Sequence, residues 1–429
     1  MARDRRRALI VGGSLGGLFA AHLLRSIGWE ADVFERTADD LADRGAGIGT
    51  HGALLRILQR LGLVFDPLSG TTPNTYVCLD RDNRVVHEIP MRRTMTAWSH
   101  LYRPLRDALP PAHYFGGVGL ERVAADDRGV TAHFTDGACR NADLLIAADG
   151  VRSSVRGQLM PDLKPDYAGY VAWRALAPQR DIPAATWAEI CRRYVFCLPD
   201  GEMLVSYPVP TRESESDRGR HSYNVVWYRP ADADTLAWMC TDATGRRHDS
   251  IPPPLLRAEV VADMKACARA LLAPPIADVI EHSRQPFFQP ISDLASPRLA
   301  FGPVVLLGDA AFVARPHVGA GVTKAALDAL ALAEAIADAG DDLGAALLHY
   351  DREQRRLGDW MVARGRQMGA SIRARPLEEP APSQRQRDDR CRSVMGDYIA
   401  AASDIEALTV RTARPRPDPM AASLDRHEY

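Results

Sequence analysis

Ala8-Leu9-Ile10-Val11-Gly12-Gly13-Ser14-Leu15-Gly16-Gly17-Leu18-Phe19 decides the fold. Four consecutive apolar residues running into glycine read as a parallel strand buried on both faces. Gly12 to Gly17 form the turn. Leu18, Phe19, Ala21, Leu23, Leu24 and Ile27 then recur at helical spacing until Gly28 stops the helix. Ala31-Asp32-Val33-Phe34 supplies a second strand with Glu35 and Arg36 at its end, which makes the unit βαβ. In the dinucleotide pattern GxGxxG the first glycine makes the tight turn, the second admits the pyrophosphate, and the third lets helix and strand pack. Gly12 and Gly17 fill the first and third places. Ser14 fills the second, where its β-carbon narrows the gap and its hydroxyl offers a donor. From Leu15, Gly16 and Gly17 onward the helix presents free N–H groups and a positive dipole end to phosphates. Glu35 stands where a carboxylate can accept both ribose hydroxyls of an adenosine, which points to FAD or NAD and away from NADP.

Two further apolar strands end in the same manner. Leu144 to Ala148 runs into Asp149-Gly150, and Val304 to Leu307 runs into Gly308-Asp309. Ligands of open α/β sheets gather beyond the carboxyl ends of strands, so three such ends predict one crevice. Between 166 and 290 the texture changes. Tyr170-Val171-Ala172-Trp173, Tyr194-Val195-Phe196, Leu204 to Tyr207 and Tyr223 to Tyr228 are short aromatic and β-branched runs separated by Pro, Gly and Asp, which predicts antiparallel strands of a second sheet. Arg212 to Arg220 reads as a polar loop. From Val322 to about Gly369 the chain is helical, with one apolar stripe through Ala325, Ala329 and Ala333 and a second helix carrying Tyr350, Leu357 and Trp360. Residues 374–390 read as an exposed linker and 391–410 as one more helix. No internal repeat is present.

The 429 residues, 46% hydrophobic and 25% charged, are those of an ordinary globular protein of two or three packed units. A net charge of -2 offers no face for a polyanion or a membrane, so neither nucleic acid nor membrane is an expected partner. Seven scattered cysteines, with no CxxC pair and no zinc spacing, read as reduced, mostly buried thiols, and no metal site is expected. The basic start, Arg5-Arg6-Arg7, precedes only four apolar residues before the glycines, too few for an export signal or a span. A cytoplasmic location is expected.

Asp143-Leu144-Leu145-Ile146-Ala147-Ala148-Asp149-Gly150-Val151-Arg152-Ser153-Ser154-Val155-Arg156 resembles the DG motif of single-component FAD-dependent aromatic hydroxylases. Val305-Leu306-Leu307-Gly308-Asp309-Ala310-Ala311, continuing through Arg315-Pro316-His317-Val318-Gly319-Ala320-Gly321, resembles their GD motif. With the first glycine turn these span the chain in the family's order. The wording from Phe312 to Ala326, with Gln289 to Leu294, is similar to the 2,6-dihydroxypyridine 3-hydroxylase-like subgroup. The resemblance implies an α/β architecture with a Rossmann-like FAD-binding domain (1–70, 100–165 and 288–373). A mixed β-sheet substrate domain (71–99 and 166–287) and C-terminal helices with a tail (374–429) complete it.

The same resemblance implies residue roles. Gly308 and Asp309 would bind the ribityl or phosphate region of FAD; Pro316, Gly319, Ala320, Gly321 and Val322 would aim N–H groups at the flavin. Asp149, Gly150 and Arg152 would touch FAD and the path of the nicotinamide nucleotide. Arg44, before Gly47, would lie near the flavin edge. The family arginine falls at Trp98, leaving Arg103 or Arg106 to substitute, and Phe312 replaces a common histidine. The implied activity consumes NADH or NADPH and O2 and hydroxylates a small hydroxylated aromatic or N-heteroaromatic ring through a flavin C4a-hydroperoxide. Base catalysis of ring deprotonation falls to His317, or that histidine caps the following helix. Tyr207 and Tyr223, on substrate-sheet strands, serve the site or the core. The alternative is a halogenase or reductase on the same scaffold; a halogenase would need a Trp-x-Trp-x-Ile signature, absent here, and a lysine, for which Lys324 is the candidate, and a non-enzymatic FAD-binding scaffold would not need the intact motifs. The Arg/Asp-rich tail reads as a dimer arm of a possible homodimer or as a frayed end.

Overall fold

The computed structural model describes residues 6–41, 47–63, 70–91, 93–126, 129–210, 221–376 and 378–412. Arg44 and the loop Arg212 to Arg220 lie outside them.

The opening run becomes the strand Arg7–Val11, the helix Leu15–Ser26 and the strand Glu30–Glu35. Arg7–Val11 sits inside a six-stranded sheet between Leu144–Ala147 and Glu30–Glu35, parallel to both. Val304–Leu306 pairs in parallel on the far side of Leu144–Ala147. All three strands that the sequence ends in glycine therefore run side by side and finish at one edge. Their residues are buried without alternation because both faces are covered, one by the helix Leu15–Ser26 and the other by a three-stranded sheet of Leu120–Asp126, Gly129–Phe134 and Cys139–Ala142. Leu15–Ser26 packs against the helix Gly321–Ala339.

The second sheet has eight strands. Asp166–Pro178 pairs antiparallel with His221–Pro230, which pairs with Met203–Pro210, then Arg193–Cys197. Thr75–Leu79 and Val85–Pro90 extend this sheet from an earlier part of the chain. One face carries Val171, Trp173, Tyr223, Val225 and Trp227 into a core closed by the helices Ala258–Leu271 and Pro274–Glu281. The other carries Tyr170, Ala172, Met203, Val205, Tyr207, Val226 and Tyr228 toward the first sheet. Period-two alternation decides which residues can reach the crevice.

Two expectations are corrected here. The last helix begins at Gln384, seven positions ahead of the expected 391, and runs to Thr412. Through Thr412 it is helix rather than a frayed end, and residues 413–429 of the tail lie outside the described residues. Cys391, Met395, Tyr398, Ala401 and Ile405 turn a buried stripe onto their own chain, recurring at three and four residues as a helix face does. The cysteines are not all free thiols either, because Cys78 and Cys391 form a disulfide that fastens this helix to the second sheet. Sequence spacing carries no trace of a pair 313 residues apart. Among the described residues no helix is long and apolar enough to cross a membrane.

Candidate active site

Gly12 ends the first strand with φ at +111°, and its N–H donates to the Phe34 carbonyl at 2.8 Å. A β-carbon there would run into the carbonyl of Ala148, and one on Gly17 into the carbonyl of Gly12. Both neighbours are backbone, so the turn admits only glycine at these two places. Leu15 faces the core and Gly16 packs toward Leu307 and Ala325. Ser14 opens the helix with no side-chain cap bond and no acid in the first turn. An anion would complete that helix end. The Glu35 carboxylate accepts from the N–H of Gly13 at 2.8 Å and of Thr37 at 3.0 Å, which clamps the turn and leaves it acceptor capacity.

The second loop touches the first at Gly12. One oxygen of Asp149 accepts from the N–H of Ser154 at 2.7 Å and from its hydroxyl at 3.0 Å. The other oxygen is buried with no partner among the described residues. Asp149, Gly150, Gly12, Ser14, Glu35, Arg36 and Trp98 line one cavity of about 510 Å³. Arg152 is exposed and does not line it. Arg103 lies 4.0 Å from Asp40, and Arg106 stacks over the Tyr114 ring, 3.9 Å from its centre. Neither lines this cavity.

Arg156 joins the second loop to the third. It is 4% exposed and donates to the carbonyls of Ala310 at 2.9 Å, Asp309 at 3.4 Å and Val151. In the sequence it is only the last residue of the stretch resembling the DG motif, with no role given. In the third loop the Gly308 N–H donates to Asp328 at 2.9 Å, and Lys324 donates to the Gly308 carbonyl and to Asp328 at 2.8 and 2.9 Å. Lys324 is thereby a buried strut, with no ammonium free for the chemistry a halogenase lysine performs. Asp309 is exposed to the crevice, and desolvation there pushes its carboxyl above the usual range, opposed by Lys324 and Arg156.

Pro316–Val318 is a single tight turn, and Gly319 closes it in the left-handed region at φ +65°. Ala320 then starts the 19-residue helix Gly321–Ala339, again with no side-chain cap and no acid in its first turn. A second cavity, of about 250 Å³, lies before this helix end. Gly47, Asp309, Pro316, Gly319, Ala320, Gly321 and Val322 line it on one side, and Arg174, Tyr194, Tyr207 and Tyr228 on the sheet side. Tyr398, from the last helix, closes it, and Tyr194 donates to its hydroxyl at 2.6 Å. Sequence reasoning missed Arg174, Tyr194, Tyr228 and Tyr398. The alternation of the strands could have flagged the first three. Nothing in the tail marks the fourth.

The three candidate catalytic side chains separate. His317 lines the cavity, but its Nε2 lies 2.7 Å from the Tyr170 hydroxyl and its Nδ1 has no partner among the described residues. Burial, with a contribution from Arg315, pulls its pKa down to about 3, so the ring is a neutral and weak base. Tyr207 lines the cavity and donates to the Gly47 carbonyl at 3.0 Å. Tyr223 is corrected outright. It points to the opposite face of the sheet, donates to the Arg193 carbonyl at 2.9 Å and sits in the core there.

The arrangement fits an elongated dinucleotide. Two uncapped helix starts, an orphaned buried carboxylate oxygen and glycine turns that exclude a β-carbon surround two cavities, one lined by the first and second loops and one by the third, with Arg156 bonded across between the second and third. A family model described as FAD binding domain-like matches residues 167–293. The chain is 30% identical to 2,6-dihydroxypyridine 3-monooxygenase of Paenarthrobacter nicotinovorans over 89% of its own length and 95% of that protein. It is 28% identical to 6-hydroxynicotinate 3-monooxygenase of Pseudomonas fluorescens over 81% of itself and 88% of that protein. The solved 2,6-dihydroxypyridine-3-hydroxylase from Arthrobacter nicotinovorans superposes with a TM-score of 0.80 at 27% identity, covering 89% of this chain and all of that one.

Proposed function

Because this chain belongs to the FAD-dependent aromatic-ring monooxygenases, we propose that it hydroxylates a small hydroxylated N-heteroaromatic ring, a hydroxypyridine above all, with NADH or NADPH as the visiting reductant. The observation that carries the substrate class is the second cavity. Its sheet-side wall is tyrosines and aliphatic side chains with the Arg174 guanidinium among them, and Arg315, His317 and Lys324 line it from the loop side. Similarity to enzymes named for a dihydroxypyridine and a hydroxynicotinate supports the same class.

FAD, when bound, supplies hydride acceptance from the pyridine nucleotide and activation of dioxygen. Its pyrophosphate would lie against the helix start at Ser14, Gly16 and Gly17, where N–H groups and the dipole favour an anion. Gly12, Glu35 and Arg36 would hold the adenosine side, and Asp149 with Gly150 the edge where its buried oxygen lacks a donor. Asp309 would face the ribityl chain, and Gly319 to Val322, beside Gly47, the ring. The start of Gly321–Ala339 stabilises negative charge there without reorganising. Tyr194, Tyr207, Tyr228 and Tyr398 exclude water from the substrate side. Tyr207, its proton held at the Gly47 carbonyl, presents its oxygen as an acceptor to a ring hydroxyl. A cytoplasmic location, where NADH and NADPH are made, belongs to the same reading.

The test is a set of hydroxypyridines and phenols offered to the FAD-loaded protein, with NAD(P)H oxidation, O2 uptake and product mass followed together. A ring that stimulates oxidation and gains one oxygen is the expected result. Protein that takes up no flavin, or stimulation with peroxide as the sole product for every ring, would overturn it.

A further inference from the structure

The final helix, Gln384–Thr412, carries Tyr398 over the ring cavity, and one covalent tie among the described residues holds that helix down. Its other fastenings are polar. Arg390 donates to the carbonyls of Pro199 and Glu202 at 2.8 Å each, and Asp397 accepts from Arg364 at 3.1 Å. Glu406 accepts from the N–H of Gly52. Water can replace each of these bonds, so they open and re-form with the helix. The Cys78–Cys391 bond opens only by chemistry at sulfur.

The bond and the roof lie on one seam. Tyr76 and Cys78 share a face of the strand Thr75–Leu79, two residues apart. Cys391 and Tyr398 share the buried stripe of the helix, two turns apart. The Tyr76 and Tyr398 rings meet edge to face at 6.2 Å, and Tyr398 also packs on Tyr194 and Phe196. Tyr194 stacks on Tyr207 at 4.8 Å, and both line the cavity. A packed aromatic row therefore joins the sulfurs to the ring chamber. Cys391 is reachable from the other side, where it lines a separate pocket of about 480 Å³ whose rim, Arg81, Asp82, Gln384 and Arg387, is exposed. Cys197 lines that pocket too, but burial pushes its thiol up to about 12, so it stays protonated and does not compete for exchange.

We propose that Cys78–Cys391 is a thiol–disulfide exchange site, a latch whose redox state sets how tightly the ring cavity is closed. The proposal rests on the ring-hydroxylation reading and adds its regulation. The reductant is a dithiol. One of its thiolates attacks the Cys391 sulfur, and the Cys78 sulfur leaves and takes up a proton. The second thiolate closes on the first and releases the Cys391 thiol, so two electrons pass to the pair and the dithiol ends as its own disulfide. Hydrogen peroxide is the oxidant for the return: one cysteine becomes a sulfenic acid as water leaves, and the other thiol displaces a second water to restore the bond. Peroxide is the side product whenever a ring hydroxylase consumes O2 without oxygenating a ring, so an open roof supplies the oxidant that closes it. In the cytoplasm, where thiols are kept reduced, disulfides are mostly transient and redox-sensing.

The test takes the full-length, FAD-loaded protein through a redox cycle: as isolated, after dithiothreitol and its removal under nitrogen, and after dilute hydrogen peroxide. Cys391→Ser goes through the same cycle, as does Cys139→Ser, which removes an exposed free thiol. Reduction is expected to yield two more alkylated cysteines in denatured protein. It also speeds amide hydrogen exchange in Gln384–Thr412 roughly 10- to 100-fold, with the strands of the first sheet unchanged. Product formed per NAD(P)H oxidised falls at the same step, and peroxide restores all three readings in wild type and in Cys139→Ser. Cys391→Ser holds the open values throughout. Equal exchange before and after reduction overturns the proposal, and so does a wild type in which all seven cysteines label at every step. A response of Cys391→Ser to the reductant places the effect on another thiol and overturns it as well. If Cys391→Ser does not fold, the wild-type cycle decides alone. If a ring is hydroxylated with the same coupling in both redox states, the latch falls and the function stands. If no ring stimulates oxidation while labelling and exchange still cycle, the function falls and the latch stands.

Discussion

One methyl group tests the glycine turn. Alanine at position 17 would place its β-carbon on the Gly12 carbonyl, a backbone neighbour that cannot swing aside. Gly17→Ala is expected to lose bound FAD and to be destabilised by about 1–3 kcal/mol, the range of overpacked sites. Flavin absorbance per protein and a thermal melt check both. The two buried histidines make a second prediction. Burial holds both His51 and His317 with a pKa near 3, helped by Arg93 and Arg315 respectively. The unfolded chain binds those protons at a pKa of about 6.5, so it takes up more protons than the folded one between about 6.5 and 3. Stability is therefore complete above that window and falls as the pH drops through it. His317→Asn is expected to flatten the acid limb of denaturant midpoint against pH, and an unchanged limb would show that this imidazole protonates freely. At this scale the glycines and Asp309 were legible because their spacing is itself the signal. Arg174 was not. A charged residue inside an apolar run reads as surface until the neighbouring strands show which way it points.

Elements were legible where one period dominates. The βαβ unit, the four aromatic strands and the two long helices are written in periods of 2.0 and 3.6, and the structure keeps their order. Tyr223 shows where period alone fails, since alternation separates two faces without naming the one that meets the cofactor. The final helix shows another failure: a polar, arginine-rich stretch carries a narrow buried stripe that composition hides. Its fastening can be counted. Of seven cysteines, five are free and two are joined. Alkylation of denatured, unreduced protein is expected to label five by mass, and seven only after reduction; seven without reductant would remove the Cys78–Cys391 link. The unsuspected helices Ala233–Met239 and Ala258–Leu271 cover the sheet's far face and touch neither cavity.

At the scale of the molecule, three loops distant in sequence meet because three parallel strands end at one sheet edge. That convergence was legible, since each strand declares its end by a glycine, with an aspartate beside it at Asp149-Gly150 and Gly308-Asp309. The tie between the loops was not, because a buried arginine satisfying carbonyls has no sequence mark. Arg156→Met keeps the length and apolar bulk while leaving the carbonyls of Val151, Asp309 and Ala310 without this donor. A cost of roughly 1–3 kcal/mol per buried group left unsatisfied predicts a lower melting temperature and weaker FAD retention together. Intact flavin affinity at a lowered melting temperature would confine Arg156 to folding alone. The roof supplied by Tyr398 has a bearing on biosynthesis. A ribosome delivers every glycine turn of the nucleotide cradle well before it delivers that tyrosine. A nascent or prematurely ended polypeptide can thus own a finished dinucleotide berth while its reaction chamber still lacks a ceiling.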